Sequence, residues 1–375
     1  MNICIVAGGT GGHITPAIAV AEKLPKDVGI FFITGKSRKA EQRFLSEIPT
    51  SKVFFLDVKP IVGKGLGAFR GIISAFSSLK DAIEILKKIK PNIIIGFGGY
   101  VSGPSLLAGK ILKSKVFIFE QNSVMGLTNK ISSIFADKIL LSFPDSEIPK
   151  FSKKKSIIVG FPLRNKFKEH LEEGLKEKEK EKGRGEEKNG GYLNILITGG
   201  SQGALSLNRL FTKTLKKIVE SNTDANLPYL QIFHQTGDLF FDEAEKFYFS
   251  LKQKMKNKLA YSIFPFSEKI GYYIGLSDLV ISRGGAGTVF EIAYAKKPAV
   301  FIPLPKSIGD HQLKNPLKIF GDSCVIVRQS EEGRFEVVLK EIFSGSLLSE
   351  LKEKLKSFSI EDGSKKILEI ILQLE

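Results

Sequence analysis

The sequence contains one pattern twice: an apolar run, a glycine-rich turn and the start of an amphipathic stretch. Residues 2–12 read NICIVAGGTGG, and residues 194–204 read NILITGGSQGA. A second pair follows in the same order, PNIIIGFGGYVSG at 91–103 and SDLVISRGGAGTVFE at 277–291. Buried parallel strands read as short apolar runs, and in α/β proteins they lead through such turns into helices. The repeated order therefore predicts two doubly wound α/β domains of similar plan.

Further apolar runs fit this architecture. Helical patterns over residues 16–24 and 205–219 separate predicted strands, as βαβ units require. The predicted strands are 3–7, 29–34, 92–95, 116–119, 194–198, 230–233, 279–282 and 299–302. Between the two halves, residues 168–190 are dominated by Lys, Glu and Gly. That segment is either a regulatory or interaction tail or a solvated insertion, helical or disordered.

Composition excludes several classes of protein. The 375 residues are 42% hydrophobic and 26% charged, as in globular proteins of two or three domains. The net charge of +16 suggests an anionic partner, but only nine of the 56 basic residues are Arg and no basic motif is interleaved with aromatics, which disfavours nucleic acid. Cys4 and Cys324 are too few for a disulfide framework or a four-cysteine zinc site. Without a signal peptide or an apolar run of about 20 residues, we expect a cytoplasmic protein.

Glycine-rich turns that enter helices can bind anions through backbone N–H groups. The candidate turns are 8–12, 98–103, 199–203 and 284–288. The first does not match the dinucleotide pattern G-x-G-x-x-G, because Gly9 and Gly11 are followed by Ile14, which argues against NAD or FAD. Residues 35–37 resemble the end of a P-loop, but Ile30 stands where its first glycine belongs.

Residues 282–291 carry the most informative turn. We predict that a helix begins near Thr288 and that Glu291 lies in its first turn. A carboxylate there can accept two hydrogen bonds from the vicinal hydroxyls of a ribose, while free backbone N–H groups face a diphosphate. Alternatively, Glu291 only complements the positive end of the helix dipole. The spacing alone does not separate these interpretations.

Several segments resemble the MurG family, the bacterial N-acetylglucosaminyltransferases that make lipid II for peptidoglycan. They are GGTGGHITPA (8–17), GFGGYVSGP (96–104), FEQNSVMGLTNK (119–130), GFPLR (160–164), GGSQGA (199–204), SRGGAGTVFE (282–291) and DHQLKN (310–315). The resemblance implies a GT-B glycosyltransferase fold, in which two Rossmann-like domains face a cleft. The implied parts are an acceptor and membrane-side domain (1–163), a UDP-GlcNAc-binding domain (164–355), and a C-terminal helix (356–375) that packs back on the first domain.

The resemblance also implies a reaction. GlcNAc passes from UDP-GlcNAc, with inversion and without a metal or other cofactor, to the 4-hydroxyl of the muramyl sugar of undecaprenyl-diphosphate-linked muramyl pentapeptide (lipid I). Backbone dipoles and cations then stabilise the departing UDP. Implied partners are both substrates, an anionic membrane surface, and the cell-wall and division machinery, at the cytoplasmic face of the inner membrane. The alternatives are another GT-B enzyme, such as a glycolipid glycosyltransferase or a UDP-GlcNAc epimerase, and a non-catalytic nucleotide-sugar-binding protein.

The matched motifs imply the residues of the site. His13 and Glu291 are the implied catalytic residues. His13 is either a general base, or it only hydrogen-bonds the diphosphate or caps the turn. The implied substrate-binding residues are Thr10, Gly11, Gly12, Tyr100, Asn122, Arg164, Ser201, Gly203, Ala286, Gly287, Thr288, Val289, Phe290, Glu291, Gln312 and Asn315. The chain departs from the family pattern at Gly287, where a larger apolar residue is common, and at Phe290, which replaces a small polar one. His234 follows a predicted strand, and we expect it to be packed.

Residues 64–90 show apolar side chains at intervals of three or four, which predicts an amphipathic helix. The apolar residues of its first half are Leu66, Phe69, Ile73, Phe76 and Leu79. Either this helix only packs on the sheet, or its first half forms an exposed apolar patch that rests on an anionic membrane.

Overall fold

The computed structural model describes residues 1–9, 11–35, 52–58, 66–183, 191–201, 203–221 and 227–373, with the side chains of 66–77 and 182–183 excepted. The chain divides into two compact units. The N-terminal unit comprises Met1–Arg164 and Glu361–Glu375, and the C-terminal unit comprises Asn165–Ile360.

Strands and helices alternate along most of the described chain. The strands are β1 (Asn2–Val6), β2 (Gly29–Gly35), β3 (Val53–Leu56), β4 (Ile93–Gly96), β5 (Lys115–Glu120), β6 (Lys138–Leu141), β7 (Ser156–Ile158), β8 (Tyr192–Thr198), β9 (Tyr229–Gln235), β10 (Leu259–Phe264), β11 (Leu279–Ser282), β12 (Ala299–Phe301) and β13 (Val325–Ile326). The α-helices are α1 (Gly11–Ala21), α2 (Leu66–Ile89), α3 (Ser102–Ile111), α4 (Leu127–Ser132), α5 (Asn165–Gly183), α6 (Leu205–Ser221), α7 (Phe241–Met255), α8 (Ile270–Leu276), α9 (Ala286–Tyr294), α10 (His311–Phe320), α11 (Glu332–Phe343), α12 (Ser346–Lys354) and α13 (Ser364–Leu372).

Each unit contains one parallel sheet. The N-terminal sheet has the order β3-β2-β1-β4-β5-β6-β7, and the C-terminal sheet has the order β10-β9-β8-β11-β12-β13. The central strands β4 and β11 are buried along their whole length, as strands covered by helices on both faces are. The predicted fold class, two doubly wound parallel α/β domains, is confirmed.

The strand order reverses direction once in each sheet, between β1 and β4 and between β8 and β11. In doubly wound sheets, ligands bind beside the carboxyl ends of the strands at this switch point. The four glycine-rich turns follow these four strands. The repeated sequence pattern therefore corresponds to the same topological position in both units.

Several boundaries differ from prediction. All eight predicted strands are present, but β3, β6, β7, β10 and β13 were not predicted. Helix α1 begins at Gly11, five residues before the predicted start at Pro16. Helix α9 begins at Ala286, two residues before Thr288. Both helices start inside their glycine-rich segments, since glycine tolerates helical dihedrals at an N-terminus despite its low propensity.

Most of the charged segment 168–190 belongs to α5, which packs along α8. A Cβ at Gly174 would collide with the carbonyl oxygen of Tyr272, and one at Gly275 would lie 2.7 Å from the carbonyl oxygen of Leu171. On the same helix, Lys178 forms an ion pair of 2.9 Å with Asp278, just before β11. The described part of this segment is therefore a packed helix, and residues 184–190 lie outside the described chain.

The C-terminal segment belongs to the N-terminal unit, where α13 contacts α1. Asp362 accepts hydrogen bonds from the backbone N–H groups of Leu163 (3.1 Å) and Ser364 (2.9 Å). A Cβ at Gly363 would lie 2.6 Å from the carbonyl oxygen of Gly160, so two backbone segments cross in direct contact. This crossing holds the segment 160–164 against the start of α13.

Candidate active site

The two glycine-rich turns of the N-terminal unit pack against each other through their backbones. A Cβ at Gly99 would collide with the carbonyl oxygen of Gly8, and one at Gly8 would lie 2.8 Å from the Cγ2 atom of Val101. Gly99 also has a φ of 81°, which disfavours any other residue. These positions need glycine because the turns after β1 and β4 touch at the switch point.

His13 lies in the first turn of α1, against both turns. A Cβ at Gly98 would lie 3.0 Å from its Nε2 atom, and one at Gly9 would lie 3.9 Å from its Nδ1 atom. The ring of Tyr100 is also 3.9 Å from that position at Gly9. Two predicted site residues, His13 and Tyr100, are thus brought together over the glycines, and the half-buried imidazole keeps part of its surface accessible.

Asn122 is held by a buried carboxyl group. Glu120, 1% exposed, accepts hydrogen bonds from the backbone N–H groups of Asn122 (2.9 Å) and Gly126 (3.0 Å) and from Nδ2 of Asn129 (2.8 Å). The Asn122 side chain also hydrogen-bonds to Glu120, and burial raises the pKa of this carboxyl group above its ordinary value despite these contacts. Glu120 therefore sets the conformation of the loop after β5.

In the C-terminal unit, Gln235 fixes the turn after β8. Its Nε2 atom donates to the carbonyl oxygen of Gly200 (2.9 Å), and its Oε1 atom accepts from the N–H of Ser267 (3.2 Å). Gly203 has a φ of 74°, and a Cβ there would lie 2.5 Å from the carbonyl oxygen of Thr236. This turn carries Ser201, which is half-buried, and leads directly into α6.

The turn after β11 is joined to the start of α10. A Cβ at Gly284 would collide with the carbonyl oxygen of Gln312, and Nδ2 of Asn315 donates to the carbonyl oxygen of Gly284 (3.0 Å). Asn315 is fully buried, so its side chain supports the turn. Gln312 is half-buried, and its Oε1 atom accepts from the N–H of Leu304 (3.0 Å).

Glu291 is the sixth residue of α9, so its predicted place in the first turn of a helix is wrong. The correction matters because dipole effects fall off within the first turn, which leaves dipole complementation a weaker explanation for this carboxylate. In the same segment Ala286, Val289 and Phe290 are buried, whereas Gly287, Thr288 and Glu291 are half-buried. The Phe290 ring is 2% exposed and packs into the protein.

The remaining predicted residues are spread over both units. Gly11 is buried and Gly12 exposed at the start of α1, and Arg164 is half-buried at the end of the segment 160–164. Thr10 lies outside the described residues. Leu66, Phe69, Ile73 and Phe76 belong to α2, but their side chains are not described; Leu79 is partly buried against the N-terminal core.

His234 is fully buried, as predicted. Its Nδ1 atom lies 2.9 Å from Tyr248 Oη, and its Nε2 atom lies 3.2 Å from Asn208 Oδ1. Burial lowers its pKa to about 3 and raises that of Tyr248, so the imidazole is neutral and the phenol protonated. Because Nδ2 of Asn208 donates to Thr236, Nε2–H donates to Oδ1 and Nδ1 accepts from the phenol.

Three residues absent from the predicted site emerge from its geometry. Glu120 and Gln121 stand beside Asn122 in the EQN motif, and the buried Oε1 atom of Gln121 has no hydrogen-bond partner among the described residues. Arg283 precedes the glycines after β11 and is 6% exposed. The signal for each was its position next to a motif residue, but sequence alone does not reveal burial.

The described residues lack two structural features. They contain no group of three or more His, Cys, Asp or Glu side chains placed to hold a metal ion. Among them, no helix has both the length and the apolar character needed to span a membrane.

Comparison with known proteins gives matches over both units. The glycosyltransferase family 28 N-terminal domain matches residues 3–141, and the family's C-terminal domain matches residues 194–367. A UDP-N-acetylglucosamine–N-acetylmuramyl-(pentapeptide) pyrophosphoryl-undecaprenol N-acetylglucosamine transferase of Francisella tularensis is 33% identical over 100% of this chain and 97% of its own length. A transferase of the same name from Acinetobacter baylyi is 32% identical with the same coverage.

Solved structures agree with these relatives. The crystal structure of Acinetobacter baumannii MurG is 26% identical, covers 100% of both chains and has a TM-score of 0.74. A UDP-GlcNAc 2-epimerase from Neisseria meningitidis has a TM-score of 0.66 at 17% identity over both full chains, which shows a shared fold alone. The full-length relatives, the two matched domains and the paired parallel sheets lead to one conclusion: the chain belongs to the MurG family of GT-B glycosyltransferases.

Proposed function

We propose that this chain transfers GlcNAc from UDP-GlcNAc to the 4-hydroxyl of the muramyl sugar of lipid I and so forms lipid II, with inversion and without a metal. The observation that carries the proposal is its similarity, over the full length, to transferases named for this pair of substrates. The epimerase alternative rests on fold likeness alone. The four glycine-rich turns at the switch points suit a reaction between two diphosphate-bearing substrates.

The residues of the C-terminal unit suit the donor. We assign the turn after β8, with Ser201 and Gly203, and the turn after β11 to the UDP diphosphate, because both offer backbone N–H groups at helix starts. Ala286 to Glu291 take the uridine, and Glu291 accepts from the ribose hydroxyls. Gln312, beside Gly284, contacts the GlcNAc of the donor. Asn315 positions the turn through its hydrogen bond to Gly284.

The N-terminal unit suits the acceptor. The turn containing Thr10, Gly11 and Gly12 binds the acceptor diphosphate, and His13 takes the proton of the attacking hydroxyl. The support is its place against Gly9 and Gly98, beside Tyr100, where a half-buried imidazole is held between two turns. The new bond joins the 4-oxygen to the anomeric carbon while the bond to UDP breaks, and the proton moves to the imidazole.

A transfer assay tests this proposal. Purified protein, radiolabelled UDP-GlcNAc, a short-chain lipid I analogue and a chelator are combined, and we expect labelled lipid product. His13→Ala should lower turnover about 100-fold, as loss of a general base does, while UDP affinity stays within about twofold. His170→Ala, a histidine on α5, serves as the control and keeps normal turnover. Donor that binds tightly but is never transferred, or that is converted to its epimer, would refute the proposed function.

We further propose that the protein works as a peripheral protein on the cytoplasmic face of the inner membrane. On the N-terminal unit, Leu127, Ile131 and Ile134 are 71%, 56% and 68% exposed and spaced for one face of α4 and its extension. The neighbouring 3₁₀ helix Lys150–Lys155 lies beside this face, since Ser152 Oγ hydrogen-bonds to Ser133 Oγ (3.0 Å). It contributes exposed Phe151 and exposed lysines. Apolar residues ringed by lysine suit anionic lipid.

Vesicle flotation tests both this face and the one predicted on α2. The triple variant Leu127→Ser/Ile131→Ser/Ile134→Ser and the triple variant Phe69→Ser/Ile73→Ser/Phe76→Ser are compared on vesicles containing anionic lipid. We expect each to lower vesicle binding several-fold while transfer to the short-chain acceptor is unchanged. Leu239→Ser/Phe249→Ser, at exposed apolar residues of the C-terminal unit, is the control and should bind normally. If both triple variants bind vesicles as well as wild type does, neither surface mediates membrane binding.

A further inference from the structure

Arg283 lies at the carboxyl end of β11, with its side chain 6% exposed. One terminal nitrogen donates to the carbonyl oxygens of Ile302 (2.8 Å) and Pro303 (3.1 Å). The other donates to Ser206 Oγ (2.6 Å) and Gln329 Oε1 (2.8 Å). One guanidinium group thus connects segments that follow three different strands, β11, β12 and β13, with the start of α6.

These contacts place the guanidinium next to both anion-binding turns of the C-terminal unit. Ser206 is the second residue of α6, which the turn 199–203 enters, and Arg283 is followed directly by Gly284. Gly284 in turn contacts Gln312. A change at Arg283 therefore acts on the turn after β8 and on the turn after β11 together.

No acidic side chain of the described residues balances the positive charge of this group. Its four hydrogen-bond acceptors are two carbonyl oxygens, a hydroxyl and an amide, and no carboxylate of the described residues forms an ion pair with it. Its Nε atom is buried and has no partner among the described residues. Burial lowers the pKa of Arg283 to about 10, so the group stays charged at neutral pH. Buried charges are ordinarily paired, because leaving water is costly.

We propose that Arg283 is a positioning residue of the donor site, which holds the two turns in place and supplies an uncompensated buried positive charge that favours a bound diphosphate. This inference rests on the proposed function for the identity of the ligand. A buried cation acts over several ångströms, since the protein interior screens it less than water does. As UDP leaves, its diphosphate gains negative charge, so the same field favours the transition state.

Three ligands that differ in the number of phosphates distinguish an electrostatic role of Arg283 from a purely structural one. Affinities for uridine, UMP and UDP are measured on wild type, Arg283→Gln and Arg283→Lys by calorimetry. We expect Arg283→Gln to weaken UDP binding by about tenfold or more and uridine binding by less than about twofold. Arg283→Lys keeps the charge but loses the planar fork, so it should lower thermal stability and keep the ratio of UDP to uridine affinity within about threefold.

Arg334→Gln is the matched control, because Arg334 is an exposed arginine of the same unit and its loss changes the net charge equally. It should leave all affinities unchanged. Equal losses of uridine and UDP binding in Arg283→Gln would reduce Arg283 to a scaffold residue and overturn the proposal. If that variant does not fold, a collapsed UDP-to-uridine ratio in Arg283→Lys overturns it as well. Wild type that binds neither uridine nor UDP would refute the proposed donor site instead.

Discussion

Glu120 illustrates how single residues prepare the site. Its carboxyl group is buried, yet it faces only donors: two backbone N–H groups and the side-chain amides of Asn122 and Asn129. These contacts favour the charged form, and burial opposes it more strongly, which raises its pKa. The carboxyl group organises a loop that carries Asn122 without being exposed to ligand itself.

Replacing this residue by its amide tests that role. Glu120→Gln places an NH₂ group where donors converge, so at least one buried donor loses its acceptor, and we expect a loss of about 1–3 kcal/mol in unfolding free energy. The loop after β5 should loosen, and kcat/KM for transfer should fall at least tenfold. Urea unfolding and the transfer assay measure the two effects. Glu172→Gln, at an exposed position on α5, should be neutral in both assays.

Sequence reasoning predicted site residues that belong to motifs and did not predict the buried residues that hold those motifs in place. Ser201 and Gly203 were predicted from their match to a family motif, whereas Gln235, which fixes that turn from β9, stands in no motif. Arg283 belongs to the motif SRGGAGTVFE, but its proposed role depends on its burial among neutral hydrogen-bond acceptors. Residue type and spacing are visible in sequence, whereas burial and partners come from tertiary packing.

At the scale of elements, most of the strands that sequence reasoning missed share a position in their sheets. β3, β7, β10 and β13 are the edge strands of the two sheets, and most of their residues are only partly buried. Continuous apolar runs are typical of strands whose two faces are both covered, and the edge strands β7 and β10 are interrupted by polar residues. The edge strand β3 does carry such a run, VFFL, and this explanation does not cover it. β6 is buried but short, with an apolar run of three residues after Lys138. Helix α5 was obscured by its charged surface, because glycines rather than apolar side chains allow much of its contact with α8.

Alanine substitutions at two glycines, Gly174 in α5 and Gly333 in α11, should change the stability of the protein in opposite directions. Alanine in an exposed helix is more stable than glycine by up to about 1 kcal/mol. Gly333→Ala in α11 has open space, so we expect a small gain in thermal stability. At Gly174 the added methyl group would meet the carbonyl oxygen of Tyr272, and we expect Gly174→Ala to lose about 1–3 kcal/mol. Calorimetry of both variants checks this, and a stabilised Gly174→Ala protein would contradict the packing of α5 on α8.

At the scale of the whole molecule, the protein consists of two units with the same strand order around their switch points. The repeated motifs predicted this plan because each motif stands where the chain leaves a central strand. A buried histidine outside these motifs also contributes to the stability of the protein. In the C-terminal unit, a neutral His234 lies among buried aromatic rings and is hydrogen-bonded to Asn208 and Tyr248.

This histidine makes the stability of the C-terminal unit depend on pH. Its pKa is about 3 when folded and about 6.5 when exposed, so between these values the unfolded chain binds a proton that the folded chain does not. The free energy of unfolding should therefore fall as pH is lowered from about 6.5, by up to about 1.4 kcal/mol per pH unit, and this contribution is constant above pH 7. Urea unfolding at pH 7.5, 6 and 5 measures it. His234→Gln should flatten the slope and His311→Gln should not; equal slopes in all three proteins would exclude the histidine as the cause.

The two units differ in the number of chain segments that form them. The C-terminal unit is one continuous segment, whereas the N-terminal unit needs residues from both sides of it. During synthesis, the N-terminal sheet emerges first but lacks α13 and the crossing of Gly160 with Gly363 until the C-terminal unit has been made. On the ribosome, the first unit to begin folding is therefore the last to finish. A chain that ended at residue 360 would keep the whole C-terminal unit but would leave α1 of the N-terminal unit without its contact to α13.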